Sequence, residues 1–236
     1  MPLTIKEAWD WMGSASTSGH PHLVDWRPAA NSVPVDRLLA AGAVIYGKTN
    51  LPVSMADWQT FNPVYGTTGN PWNPDLIPGG SSGGASAALA AGLTALELGS
   101  DIGASIRNPA HYCGVFGHKP TYGLVPIEGH GNPDAVVPLD IGVGGPMARY
   151  ASDLTLGLDI VAGPAGLDAT GWKLDLPQSS KSRLSEFRVA VMLESPCVAQ
   201  DDELTNQLTK TVDRLGELGV QLNFEALSYG VRDRTP

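Results

Sequence analysis

Short apolar runs punctuated by Gly- and Pro-rich stretches fill the first two thirds of the chain. Residues 2–5 predict a buried strand, with Lys6 at its C-terminal end. In open α/β sheets reactive groups collect at that end. Residues 13–34, rich in Ser, Gly, Pro and His, predict a loop. Val35, Leu38 and Leu39 then recur at helical spacing, before Gly42 and a strand over residues 43–46. That is a helix-to-strand unit of a layered α/β fold. A long connection over 51–77 carries Trp58, Phe61, Tyr65 and Trp72, rings that would either line a pocket or cap the core. Residues 85–92 predict a helix of small side chains, 93–98 a strand, and Asn108-Pro109 the opening of another helix. After a Gly-, Pro- and His-rich loop over 123–145, Ser152-Asp153 predict the cap of a helix bearing Leu154, Leu158 and Val161. A polar connection over 163–185 leads to a strand over 187–193. An amphipathic helix over 201–218, with acids in its first turn, and a strand from 220 complete the pattern.

Composition narrows the class. The 236 residues suffice for one α/β domain or two small ones, and 42% apolar with 17% charged residues describes a globular protein. No internal repeat or clear linker appears. The expectation is a single domain over 1–236, with its core over about 1–160 and a strand–helix–strand extension over about 185–236. A net charge of −9 argues against nucleic acid, whose binding needs clustered Lys and Arg. No apolar run approaches the roughly 18 residues of a membrane span, and Met1 leads straight into a strand rather than a signal peptide. Cytoplasm is the expected location. Cys113 and Cys197 lie far apart, and the histidines at 20, 22, 111, 118 and 130 lack zinc-ligand spacing, so neither metal nor cofactor is expected. Cys113, in an apolar stretch, reads as a packed thiol.

Two serine-bearing glycine loops carry the chemistry. The first is Pro78-Gly79-Gly80-Ser81-Ser82-Gly83-Gly84, and the second is Gly99-Ser100-Asp101-Ile102-Gly103-Ala104-Ser105-Ile106-Arg107. With Lys6 upstream, they closely resemble the amidase signature family of serine hydrolases. The resemblance extends through residues 41–50, 70–73, 113–121 and 145–149, and more weakly to about Leu222. It implies a layered α/β/α fold with a central mixed β-sheet, incomplete at both ends relative to typical members. It also implies hydrolysis of a carboxamide, with esters, anilides and carbamates within range. An amidotransferase-type subunit that needs a partner and a non-catalytic fragment that only binds or assembles stay open as alternatives.

Carried over residue by residue, the resemblance makes Ser105 the nucleophile, Ser81 a bridging proton carrier and Lys6 the base. It makes the Gly80–Ser81 bond cis, with Ser82, Gly80 and Arg107 in support. The main-chain N–H groups of Ile102, Gly103, Ala104 and Ser105 become the oxyanion hole. No His stands where a Ser-His-Asp triad would need it. A neutral lysine must serve instead, and burial favours that form. Ala104 stands where the family usually has Gly. If that backbone needs a positive φ, alanine adds strain; if not, its methyl narrows the pocket. Lys48, in Gly47-Lys48-Thr49, lacks the spacing of a phosphate loop and reads as structural or as a support behind the catalytic residues. The expected partner is a small amide substrate, and segments missing relative to the family suggest self-association into a homo-oligomer.

Overall fold

In this computed structural model, which describes residues 1–133, 140–194 and 198–225, the first strand does much of the organising. β1 (Pro2–Lys6) runs parallel to β2 (Val44–Thr49) on one side and to β5 (Leu96–Asp101) on the other. Between β2 and β5 come a small hairpin of β3 (Phe61–Asn62) and β4 (Gly66–Thr67), then α2 (Gly83–Ala90). Ahead of β2 stands α1 (Val33–Ala40). After β5 come α3 (Arg107–Cys113), β6 (Phe116–Gly117), β7 (Val143–Ala148) and α4 (Ala151–Val161). β7 pairs antiparallel with both β5 and β6, giving a mixed five-stranded sheet in the order β2-β1-β5-β7-β6.

The alternation of strand side chains explains the layers. Leu3 and Ile5 of β1, with Leu96 and Leu98 of β5, enter a buried cluster with Val35 and Leu38 of α1 and Val161 of α4. A second cluster joins Ala85 and Leu89 of α2 to Ile106, Ala110 and Met147. The sheet is therefore covered by helices on both faces, the α/β/α arrangement expected. Thr4 and Lys6 alternate away from Leu3 and Ile5, so the buried sheet carries polar side chains where the apolar pattern breaks.

The contacts divide the chain into two compact units, Met1–Leu174 and Asp175–Pro236, where the sequence suggested one domain with an extension from about 185. The first unit ends after the short α5 (Asp168–Gly171). In the second, β8 (Arg188–Ala190) pairs parallel with β9 (Gln221–Asn223) across α6 (Asp202–Glu217). Asp201 caps α6 by accepting from the N–H groups of Glu203 and Leu204.

Several boundaries shift for local reasons. The strand expected over 93–98 begins at Leu96, because residues 91–93 close the end of α2 with backbone bonds to Ala87, Ala88 and Leu89. It runs on through Gly99, Ser100 and Asp101, which pair with β7. The strand expected over 187–193 is confined to Arg188–Ala190. The predicted Ser152-Asp153 cap is corrected: Tyr150 occupies the cap position in extended backbone, and α4 is already under way at Ala151. Cys197 lies outside the described residues, while Cys113 is a buried free thiol. Burial pushes that thiol up to about 11, which makes it inert packing.

Candidate active site

Lys6 leaves the C-terminal end of β1 with no solvent exposure. Its ammonium donates to Ser81 Oγ at 2.7 Å and to Ser100 Oγ at 3.0 Å. Burial lowers its pKa to about 7, against the opposing pull of Asp101 and Glu97. Glu97 is itself fully buried on β5, where it accepts from the Thr4 hydroxyl. Burial raises its carboxyl to about 8. The lysine thus meets hydroxyls, and the nearest acids do not form an ion pair with it among the described residues.

The first glycine loop holds Ser81 in place by close backbone packing. The Gly80–Ser81 peptide bond is cis, as the resemblance implies. A Cβ on Gly80 would fall 2.7 Å from the Asp57 carbonyl oxygen, so only glycine fits there, and its N–H donates to Asn108 Oδ1 at 3.2 Å. Ser82, at the start of α2, ties this loop to the second one. Its N–H donates to the Ser105 carbonyl at 3.1 Å, and its hydroxyl both donates to Ser100 O and accepts from Ser100 N.

The second loop is folded around Asp101. That carboxylate accepts from the N–H groups of Ala104, Ile106 and Arg107 and takes a two-pronged contact from the Arg107 guanidinium at 3.0 and 3.1 Å. Burial pushes the Asp101 carboxyl up, but the Arg107 and backbone hydrogen bonds outweigh it and hold it below the usual range. One consequence amends the expected oxyanion hole. The Ala104 N–H points inward to Asp101 Oδ1 at 2.9 Å, so it is not free for a substrate oxygen. The N–H groups of Gly103 and Ser105 donate to no protein acceptor among the described residues. Ala104 has φ +75°, the left-handed region that alanine occupies only at a cost.

Ser81 and Ser105 line one cavity of about 270 Å³ together with Ser100, Asp101, Ile102 and His130. Its remaining wall is largely apolar, from Met55, Ala56, Ile127 and Val143. None of the four loop aromatics lines it. Trp58 instead donates through Nε1 to the Gly103 carbonyl, Trp72 to the Cys113 carbonyl, and the Tyr65 hydroxyl to Glu7. All four are substantially exposed rather than core caps, and Trp58, Trp72 and Tyr65 act as struts. Lys48 sits apart from the cavity, donating to the carbonyls of Glu7 and Ala15 and to Ser16 Oγ.

Three residues at this site carry no role in the sequence reading. Ser100 and Asp101 stand inside the second loop, and their signal is a place between a strand end and Ser105. His130 shows only the absence of zinc spacing. Nothing local to His130 in the chain points to the cavity, because an isolated bridge to Trp9 brings it there.

This geometry can be set beside known proteins. A family model described as Amidase matches residues 1–229. The chain belongs to the amidase family. The A-type subunit of glutamyl-tRNA(Gln) amidotransferase from Acaryochloris marina is 38% identical over 225 residues, covering 94% of this chain and 46% of the relative. Its counterpart from Thermus thermophilus is 42% identical over 197 residues, 82% of this chain and 41% of that one. Among solved structures, fatty acid amide hydrolase superposes with a TM-score of 0.83 at 28% identity, over 94% of this chain and 40% of its own. The same amidotransferase subunit from Thermotoga maritima gives a TM-score of 0.83 at 30% identity, over 94% and 49%. The chain therefore spans about half the length of the curated relatives it matches.

Proposed function

We propose that this amidase-family chain hydrolyses a small carboxamide through a seryl acyl-enzyme, with Ser105 as nucleophile, Ser81 as proton carrier and Lys6 as base. The observation that carries this reading is the 2.7 Å contact between Lys6 and Ser81 in a site where burial brings the lysine to about 7. A lysine in that state is neutral in a large share of molecules near pH 7 and can accept a proton. Ser105 gives its proton to Ser81 as its oxygen attacks the carbonyl carbon, while Ser81 gives its own to Lys6. The tetrahedral oxyanion is met by the N–H groups of Gly103 and Ser105, with Ile102 on the same loop. When the C–N bond breaks, the proton returns through Ser81 to the leaving nitrogen. Water then attacks the acyl-enzyme by the same route, releasing the acid and restoring Ser105. Asp101, locked to Arg107, holds the donor loop in shape.

A second reading has its own support. Relatives at 36–42% identity bear the name of a glutamyl-tRNA(Gln) amidotransferase subunit, so a glutamine-dependent role with a protein partner fits the same relay. Turnover of simple aliphatic amides and anilides by the purified chain, absent in Ser105→Ala, supports the hydrolase. Turnover that appears only with added partner subunits supports the amidotransferase. Absence of turnover under both conditions leaves a chain that binds or assembles without catalysis.

A further inference from the structure

Glu97 is a fully buried acid on the strand that leads into the second loop, and the relay does not use it. It stands in register with Met147 of β7, and residues directly opposite across antiparallel strands share a face of the sheet. Met147 shares a buried cluster with Ala85 and Leu89 of α2, whereas Leu96 and Leu98 enter the other cluster. The Glu97 side chain therefore lies on the α2 face. Thr4 and Lys6 alternate onto that face from β1, which pairs Thr4 with Glu97. Oε1 accepts from the Thr4 hydroxyl, and the Thr49 hydroxyl of β2 also bonds the carboxyl. Oε2 is closed to solvent and has no partner among the described residues.

Both ends of α2 fix which of its residues covers Glu97. At its start the Ser82 hydroxyl bonds the Ser100 main chain. At its end one Arg149 guanidinium nitrogen bonds the carbonyls of Leu89 and Thr94. α2 thus runs antiparallel to β5, and Ser86, one turn after Ser82 on the same face, falls at the level of Glu97. Ser86 Oγ is also buried without a partner among the described residues. Two unfilled polar atoms lie at one level of the α2–sheet interface.

No cation pairs with this carboxyl among the described residues. α2 and β7 contain no titratable side chain. On β2, Lys48 turns to the Glu7 and Ala15 carbonyls and Tyr46 to the Leu93 carbonyl. Lys6 is committed to Ser81 and Ser100, and Asp101, further along β5, to Arg107. An ionised Glu97 would be an unpaired buried charge, the costliest state for a carboxyl. It would also favour the Lys6 ammonium, the form that cannot accept a proton. Burial raises the carboxyl to about 8, so it keeps its proton at neutral pH. A protonated Oε2 is a donor, and a serine hydroxyl can accept from it.

We propose that Glu97 is a positioning residue of the relay, an uncharged carboxylic acid that ties β1, which carries Lys6, to α2, which follows Ser81, through Thr4 on one side and Ser86 on the other. The proposal rests on the amidase reading and adds a condition to it: the acid behind the base stays protonated while the base works.

Glu97→Gln keeps an acceptor for Thr4 and a donor for Ser86, whereas Glu97→Leu removes both at similar size. With Gln, kcat for a simple amide should stay within about threefold of wild type and the acid midpoint of the rate profile should not move. With Leu, kcat should fall about tenfold or more while KM stays within about twofold, because a misplaced relay slows chemistry rather than binding. Ser86→Ala, a milder change for the case in which Leu does not fold, should lower kcat about threefold or more at unchanged KM.

The proton has readouts of its own. Infrared difference spectra of wild type against Glu97→Gln at neutral pH should show a carboxylic-acid carbonyl band. The raised carboxyl makes wild type lose stability as pH climbs toward about 8, a loss that Gln lacks. The melting midpoint of Glu97→Gln should therefore gain on wild type by roughly 5 °C or more between about pH 5 and 9. If wild type turns over no amide, the amidase reading fails and the positioning role falls with it, while the infrared and thermal measurements still decide whether Glu97 is a neutral acid. Wild-type kcat in both Glu97→Leu and Ser86→Ala, an acid midpoint that drops in Glu97→Gln, or a missing acid band would overturn the proposal.

Discussion

Two lysines end neighbouring strands, and their surroundings differ in kind. Lys6 at the end of β1 is fully buried and Lys48 in β2 is partly buried, and burial brings the first to about 7 and the second to about 8. By pKa alone they are nearly interchangeable. Their partners separate them. Lys6 faces the hydroxyls of Ser81 and Ser100, groups that can both give and accept a proton. Lys48 faces the carbonyls of Glu7 at 3.1 Å and Ala15 at 2.7 Å, which only accept, and its one hydroxyl partner, Ser16 Oγ at 2.6 Å, does not line the cavity that holds Ser81, Ser100 and Ser105. The Glu7 carboxylate receives the N–H groups of Thr17 and Ser18, so the Lys48 side of the sheet is a clasp that closes residues 15–18 onto β2. A depressed pKa thus marks burial, and the chemistry of the neighbours decides whether a lysine can relay a proton.

The largest expected effect breaks that contrast if it fails. Lys6→Ala should lower kcat/KM for a simple amide by about 10²–10⁴-fold, the range of a lost general base. Ser105→Ala and Ser81→Ala should be at least as damaging. Because the three act as a unit, double variants should lose little more than the worst single one. Lys48→Met should stay within about tenfold of wild type. Steady-state kinetics on the four variants decides this, and an equal loss at Lys48 would show that partner chemistry does not distinguish the pair.

The pH profile sharpens the same contrast. Below about 7 Lys6 is an ammonium and cannot accept a proton, so log(kcat/KM) should rise with unit slope and level off above about 7. Lys48→Met should keep that midpoint. Activity is the cleaner readout, because stability mixes two opposed terms. Lys6, lowered from 10.5, penalises the fold fully below about 7 and releases it as pH rises toward 10.5. Glu97, raised from 4.5 to about 8, makes the fold lose stability as pH rises through that window. A rate profile flat from pH 5 to 9, on protein that stays folded, would remove Lys6 as the titrating base.

Much of this was legible in the chain, for identifiable reasons. β1, α1 and the layering follow from short apolar runs with a period of two or near four, and Ser81 and Ser105 stand out because two glycine loops frame them, whereas Lys6, a lone lysine at a strand end, is singled out only by the resemblance to the amidase signature family. The extension of β5 through Ser100 and Asp101 was not legible, because Gly99-Ser100-Asp101 has turn composition and is made a strand only by pairing with β7. The engagement of the Ala104 N–H by Asp101 was hidden as well, since it depends on the loop curling back over three residues. His130 was hidden for a different reason. Its meaning comes from a contact with Trp9, 121 residues earlier (130 − 9), which no local pattern encodes.

A third outcome concerns stability on the Lys48 side. Lys48→Met keeps the aliphatic stem but removes the donor to two carbonyls and a hydroxyl. Leaving these partly buried acceptors without a donor should cost about 1 kcal/mol. Denaturant melts at neutral pH would register this as a lower midpoint with an unchanged slope. Lys6→Met should behave otherwise, because it removes a desolvated cation below pH 7 and leaves two hydroxyls that can reorient toward each other. A melt in which both variants lose stability equally would mean that the two lysines are both clasps.

The smallest expected effect lies on the Lys6 side, at Ala104. Its φ of +75° puts an L side chain in the left-handed region, where the Cβ crowds the following carbonyl at a cost of roughly 1–2 kcal/mol. Glycine removes that crowding but gains freedom in the unfolded chain, which takes back part of the benefit. Ala104→Gly should therefore stabilise the protein by at most about 1 kcal/mol. The Ala104 N–H bond to Asp101 and the Ala104 carbonyl bond to the Asn108 N–H are main-chain contacts that glycine keeps. The donor loop should then hold its shape, and kcat/KM should change by less than about threefold. A loss of stability in Ala104→Gly would mean that the methyl is packed usefully rather than merely tolerated. A large gain in rate would mean that the strained alanine holds the loop away from its best geometry for the oxyanion.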